Sequence, residues 1–253
     1  MAAAAGEATG VYVYGVTLVD VPCDRPTVDV GELRAIVAEE PLEQYEPKAL
    51  ETALTDPGWL ETRLREHESV LEAVLAQGPV APFRFGTIFR TESDLRGELA
   101  RVEARLTARL EELRGTAEWG VKAWVDDEVL YESVGQKDVG LEGLPEGRRY
   151  LLEKRLRRQT QAEANDLALD RAHDAHAQLA SLAVEARVAG PSGLDERTGL
   201  RLLLRSAYLL DDDRRPELEH LLDELGARDA GLGLEYALSG PWPPYTFVDP
   251  GLE

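Results

Sequence analysis

The chain has 253 residues, 43% of them hydrophobic, with 48 acidic against 28 basic side chains and a formal net charge of −20. That is enough apolar material for one large or two ordinary cores, and the summed negative field repels phosphate backbones and anionic bilayers, so neither nucleic acid nor a membrane is an expected partner. Cys23 is the only cysteine, which rules out an internal disulfide and a thiolate zinc site and suits a reducing compartment.

The opening MAAAAGEATG has neither the basic start nor the long apolar run of a signal peptide, and nothing later resembles a membrane span. Residues 1–10 are therefore expected to be a disordered leader on a cytoplasmic protein. VYVYGVTLV (11–19) is apolar on both alternating faces, as a strand inside a covered sheet requires. After a loop with Pro22 and Pro26 comes ELRAIVAEE (32–40), whose period fits either a strand or a helix; we assign it to a strand.

At Asp56 the pattern changes. Pro57 follows a capping aspartate, and Leu60, Leu64, His67, Leu71, Val74 and Leu75 recur at steps of three and four, which predicts an amphipathic helix ending at Gly78. A second such helix is expected from Leu95, Leu99, Val102, Leu106, Leu110 and Leu113. WGVKAWV (119–125) then reads as a strand. The Gly-, Asp- and Glu-rich residues 127–147 read as a linker or loop that marks the domain boundary.

Residues 148–186 form a long Ala- and Arg-rich helical stretch with Leu152, Leu156, Leu167, Leu179 and Leu182 as its larger apolar contacts. GLRLLLRSAYLL (199–210) alternates as a strand, 211–226 is an acid-started helix closed by Gly226, and LGLEYALSG (232–240) alternates as another strand. Mixed in this order, the elements argue for an α+β fold in two domains, 11–126 and 148–253.

No catalytic motif emerges: the sequence has no phosphate-binding glycine loop, no nucleophile elbow and no paired-histidine zinc motif. His173 and His176 stand three apart on a predicted helix, a spacing that suits one metal with Asp170 or Asp174, but a solvated surface pair is the commoner case. His67 falls in a leucine seam, where a hydrogen-bonded core histidine is commoner than a base. We therefore expect no metal and no cofactor.

Two segments stand out. In PFRFGTIFR (82–90), Arg84 lies between Phe83 and Phe85, so on a strand it faces away from both; an internal ion pair is the favoured reading, with anion or partner binding behind it. SGPWPPYTFV (239–248) sets Pro241, Pro243 and Pro244 among Trp242, Tyr245 and Phe247. It reads as a stiff strap packed back over the C-terminal domain or the crevice between domains.

YVYGV (12–16), PFRFGTIF, WGVKAWV, YLLEKR (150–155, with Tyr150 at its start) and SGPWPPYTFV occur in an order and spacing that resemble the gas vesicle protein F/L family over nearly the whole chain. The resemblance implies a ferredoxin-like N-terminal α/β domain and a smaller α+β C-terminal domain. It also implies a cytoplasmic, non-catalytic accessory protein of gas vesicle assembly that binds the hydrophobic shell protein and other accessory proteins. The resemblance carries over no site residues; from their own chemistry Arg84, Trp242, Tyr245 and Phe247 are expected to be structurally critical, with partner contact behind that reading. The rival reading is a small-molecule binder or enzyme using an interdomain crevice near Arg84.

Overall fold

The computed structural model describes residues 8–45, 47–135, 145–189 and 199–251. It divides into two compact units, one made of Met1–Glu118 with Pro241–Glu253 and the other of Trp119–Gly240.

The first unit is built on a five-stranded antiparallel sheet. Its strands are β1 (Thr9–Leu18), β2 (Thr27–Val30), β3 (Leu33–Pro41), β4 (Val80–Pro82) and β5 (Ile88–Phe89), in the order β2-β3-β1-β4 with β5 also on β1. Centrality explains why β1 is apolar on both faces, and the segment assigned to a strand at 32–40 is β3. A register shift between Val13 and Gly15 re-aims the strand. At Gly15 a Cβ would stand 2.7 Å from Leu71 Cδ2 and 2.8 Å from the Ala81 carbonyl, so only glycine allows this approach.

Helices α1 (Pro47–Leu54), α2 (Pro57–Leu75) and α3 (Glu92–Glu112) complete the unit. Asp56 Oδ1 accepts from the amides of Gly58 and Trp59 at 3.0 and 3.3 Å, the cap that starts α2. The Thr91 side chain and Asp94 form a reciprocal capping box on α3, which buries Leu95, Leu99, Leu106 and Leu110.

The strand-helix-strand-strand-helix-strand order expected of the N-terminal domain is not found there. β1, β2 and β3 follow one another without a helix, because the proline-punctuated loop between β1 and β2 is too short for one. That order runs instead through the second unit.

In the second unit, β6 (Thr116–Val125), whose first three residues belong to the first unit, leads through α4 (Asp127–Val134) and α5 (Glu146–Leu182) to β7 (Glu185–Ala189) and β8 (Arg201–Asp211). After these come α6 (Arg215–Asp229) and β9 (Leu234–Trp242), and the sheet order is β7-β8-β6-β9. The expected linker over 127–147 is a helix at its start: Asp126 Oδ1 accepts from the amides of Glu128 and Val129, and Leu130 is buried. Residues 136–144 of that linker, like residues 1–7 of the expected leader, lie outside the described residues.

The stretch at 148–186 is dominated by one helix, α5, of 37 residues. Its buried stripe is Thr160, Ala164, Ala168, Ala172, Ala175 and Leu179, whereas Leu152, Leu156, Leu167 and Leu182 are only half-buried. Small side chains let the helix axis lie close over its neighbours, and volume rather than hydrophobicity chose them. They feed two apolar clusters, one around Trp119, Tyr208, Leu210 and Leu218 and another around Val125, Leu130, Leu203 and Leu234. Helix α6 runs past Gly226 to Asp229.

The proline-aromatic strap corrects the expected grouping with the C-terminal half: residues from Pro241 onward belong to the first unit. The chain changes units at Gly240, with φ of +123°, a conformation that glycine alone adopts readily. Pro241 is tolerated inside β9 because β9 is an edge strand.

Candidate functional site

Both segments singled out in the sequence converge on α2. His67, 1% exposed, sits between the two: its Nε2 lies 3.2 Å from the Phe83 carbonyl and its Nδ1 2.7 Å from the Tyr12 hydroxyl. A carbonyl only accepts, so Nε2 carries the proton and Nδ1 accepts from Tyr12, which fixes a neutral imidazole. Burial lowers the His67 pKa in agreement with this, and the same burial pushes the Tyr12 phenol well up. Tyr12 oxygen also accepts from the Gly86 amide at 3.3 Å. Rings surround the imidazole: Tyr14 at 5.5 Å and Phe85 at 5.9 Å, with Trp59 against Phe85 at 6.3 Å. Every polar atom of His67 is therefore occupied by structure, and the histidine is a core residue rather than a base.

The next residue, Glu68, holds the strap. Tyr245 hydroxyl donates to Glu68 Oε1 at 2.9 Å, while Glu68 Oε2 is buried without a partner among the described residues. Burial raises the Glu68 carboxyl above the ordinary glutamate range, against the lowering effect of the Tyr245 hydrogen bond. One residue on, Thr246 donates twice to Glu118, from its amide to Oε2 at 2.8 Å and from its hydroxyl to Oε1 at 2.6 Å. Two arginines of α3 clamp strap carbonyls: Arg109 on Phe247 at 3.2 Å, and Arg105 on Asp249 and Pro250 at 3.3 and 2.9 Å. Phe247 and Val248 are buried beneath them. The strap is a turn rather than a rod, since the amides of Phe247 and Val248 both reach the Pro244 carbonyl at 3.0 Å.

Of the expected site residues, Phe247 is core, while Trp242 and Tyr245 are each 38% exposed. Arg84 overturns its favoured reading. β4 ends at Pro82, the chain turns at Gly86, with φ of +86°, and Arg84 is exposed, with no ion pair among the described residues. The turn sends Phe83 inward and the guanidinium outward.

Sequence reasoning missed Glu118, Arg105 and Arg109, because nothing local tells that a strand glutamate and two helix arginines will meet a segment more than 120 residues away. It also missed Asp229, fully buried, which pairs with Arg228 at 2.6 Å and accepts from the Tyr236 hydroxyl at 2.8 Å. Among the described residues no group of three or more histidine, cysteine or acidic side chains is placed to hold a metal. His176 Nδ1 instead meets the Tyr208 hydroxyl at 2.8 Å, a phenol that burial has pushed up to about 12.

An open cavity of about 560 Å³ lies in the second unit among α4, α5 and the start of β8, and neither Arg84 nor His67 lines it. No helix among the described residues is long and apolar enough to cross a membrane.

Residues 10–249 match the family model of the gas vesicle synthesis protein GvpL/GvpF. The chain is 28% identical to gas vesicle protein L of a Streptomyces species over 226 residues, covering 86% of this chain and 80% of that one. It is 30% identical to gas vesicle protein F2 of Halobacterium salinarum over 229 residues, covering 88% and 79%. Its fold superposes on the crystal structure of GvpF from Anabaena with a TM-score of 0.67 at 16% identity, covering 94% of this chain and 95% of that one. The matched segment includes α2, the turn at Gly86 and the strap as far as Asp249, and the chain belongs to the GvpL/GvpF family of gas vesicle synthesis proteins.

Proposed function

We propose that this chain is a non-catalytic accessory protein of gas vesicle assembly. It binds the hydrophobic shell protein in the cytoplasm and keeps it dispersed or nucleates its polymerisation at the vesicle, alongside other accessory proteins. The observation that carries this reading is the apolar surface of the first unit. Among the described residues its exposed large hydrophobic side chains are Leu64, Trp242 and Tyr245, two of them on the clamped strap and the third one helical turn from Glu68, which holds Tyr245.

A shell subunit must show apolar surface before incorporation, and such surface aggregates unless covered. Aromatic side chains already fixed by a folded strap cover it at small entropic cost. The −20 charge keeps the complex in solution and pairs with basic groups on the subunit, so binding weakens as salt rises. Arg84, exposed beside the same helix, offers a guanidinium to a partner carboxylate. The second unit, with its strand-helix-strand-strand-helix-strand order, is read as the ferredoxin-like module.

Co-expression with the shell protein tests this. Recovery of a soluble complex at low salt, diminished by a high-salt wash and lost in a Leu64→Ser/Trp242→Ala variant that keeps its melting temperature, is the expected result. Shell protein that stays insoluble while this chain elutes alone would overturn it. An Arg84→Ala variant is expected to keep wild-type stability and to lose part of the binding.

A further inference from the structure

The start of α5 is unlike the rest of the chain in charge and in packing. Between residues 148 and 158, Arg148, Arg149, Lys154, Arg155, Arg157 and Arg158 stand against a single acid, Glu153, in a protein whose net charge is −20. Over 146–159 no residue is buried; the first to be so is Thr160. Four turns of helix thus run without a fully buried side chain, and isolated helices of this length are marginal in water.

The exposed turns are nonetheless written as an interface. Tyr150 is 61% and Leu151 66% exposed. Leu152 and Leu156 continue, at the same four-residue step, the stripe of Thr160, Ala164, Ala168 and Ala172 by which the helix packs further on, but with larger side chains. The cations are mostly uncommitted. Arg149 reaches Glu153 at 3.6 Å and Lys154 lies 6.0 Å from the centre of the Tyr150 ring, while Arg148, Arg155, Arg157 and Arg158 have no ion pair among the described residues. At its far end the strip opens into the 560 Å³ cavity, where Arg157, Gln161 and Asn165 form one wall over Leu130 and Ala164. The opposite wall carries Glu128 and the Asp127–Arg201 ion pair, closed at 2.7 Å.

We propose that the first four turns of α5 are a docking surface for a short acidic amphipathic segment of a partner protein. Its apolar side chains cover Tyr150 and Leu151, its carboxylates meet Lys154, Arg155 and Arg158 on the same face, and a side chain at its end enters the cavity beside Arg157. Charge and size select this occupant. Eleven helical residues span about 16 Å, and fields between exposed charges fade over about 8 Å in physiological salt. A short segment therefore feels only the local positive charge. Duplex nucleic acid or a bilayer extends beyond the patch and meets the acidic remainder, and a second copy of this chain brings its own −20. The surface has the opposite sign and a different location from the one proposed for the shell protein, and it stands independently of that reading.

The test uses a fluorescein-labelled peptide of about 14 residues, long enough to match the four turns, made of Glu with Leu at three- and four-residue steps. Its binding to the full chain is followed by anisotropy at low and high salt. Saturable binding is expected, weakened by salt, reduced about tenfold in an Arg155→Glu/Arg158→Glu variant and also reduced by Leu151→Ser, with melting temperatures unchanged. A control peptide with Lys for Glu is expected not to bind. No saturable binding of the acidic peptide at low salt, or equal binding to the wild type and the variants, would overturn the proposal. Tighter binding of duplex DNA or of anionic vesicles, lost in the same variants, would also overturn it in favour of an extended polyanion. Self-association of the free chain that disappears in the variants would replace the partner by a second copy.

Discussion

The strap from Pro241 onward and the first four turns of α5 are both surface segments rich in large apolar side chains, and they are held in opposite ways. The strap has little regular structure of its own. It is fixed from outside, by Glu68, Glu118, Arg105 and Arg109 acting on its hydroxyls, an amide and its carbonyls, with Phe247 and Val248 sunk beneath. The helical turns satisfy their own backbone groups along the helix and have no fully buried side chain before Thr160. A segment without a ladder needs partners for each polar group, whereas a helix needs them only for its side chains. Apolar residues therefore serve as anchors in the first case and remain available in the second.

The largest effect that would break this contrast is removal of an anchor. Phe247→Ala is expected to destabilise the protein by about 3 kcal/mol, read as a shifted urea midpoint. Glu118→Gln keeps the shape but turns an amino group toward one of the two Thr246 donors, and about 2 kcal/mol should be lost in the same measurement.

Neighbouring positions on α2 should titrate with opposite signs. Burial holds the Glu68 carboxyl above its ordinary value, so the folded chain binds that proton more tightly than the unfolded one. Its contribution is then greatest in acid and declines as pH rises from about 4.3 through the folded value. Burial lowers the pKa of His67, so its contribution is present above about 6.5 and is lost as pH falls through the lower folded value. Unfolding free energies across this range, compared with those of Glu68→Gln and His67→Gln, should lose one slope each. Least of all, Leu151→Ala is expected to change stability by no more than about 0.5 kcal/mol. A larger loss would mean that the start of α5 is packed after all.

Local rules carried much of the fold into the sequence. Asp56 before Pro57 and the leucines of α2 and α3 announced those helices, and the two-sided apolar run of β1 announced a central strand. Three features were illegible for physical reasons. A stripe of alanines is a weak hydrophobic signal although it is the buried face of α5. The helical start of the supposed linker rests on one cap, Asp126, and one buried leucine, Leu130. The strap names its own aromatics but not the distant glutamates and arginines that receive it. Arg84 was visible as unusual, yet its exposure depended on where β4 stops, and neither Pro82 nor Gly86 fixes that to the residue.

The return of the strap to the first unit also sets a clock. Phe247 and Val248 belong to the core of a unit whose other residues end at Glu118, and the whole second unit is translated between them. At ordinary rates of synthesis that interval is on the order of ten seconds. The nascent first unit spends it with the places of these two side chains unfilled. The second unit is synthesised without interruption and has all its residues before the first unit does.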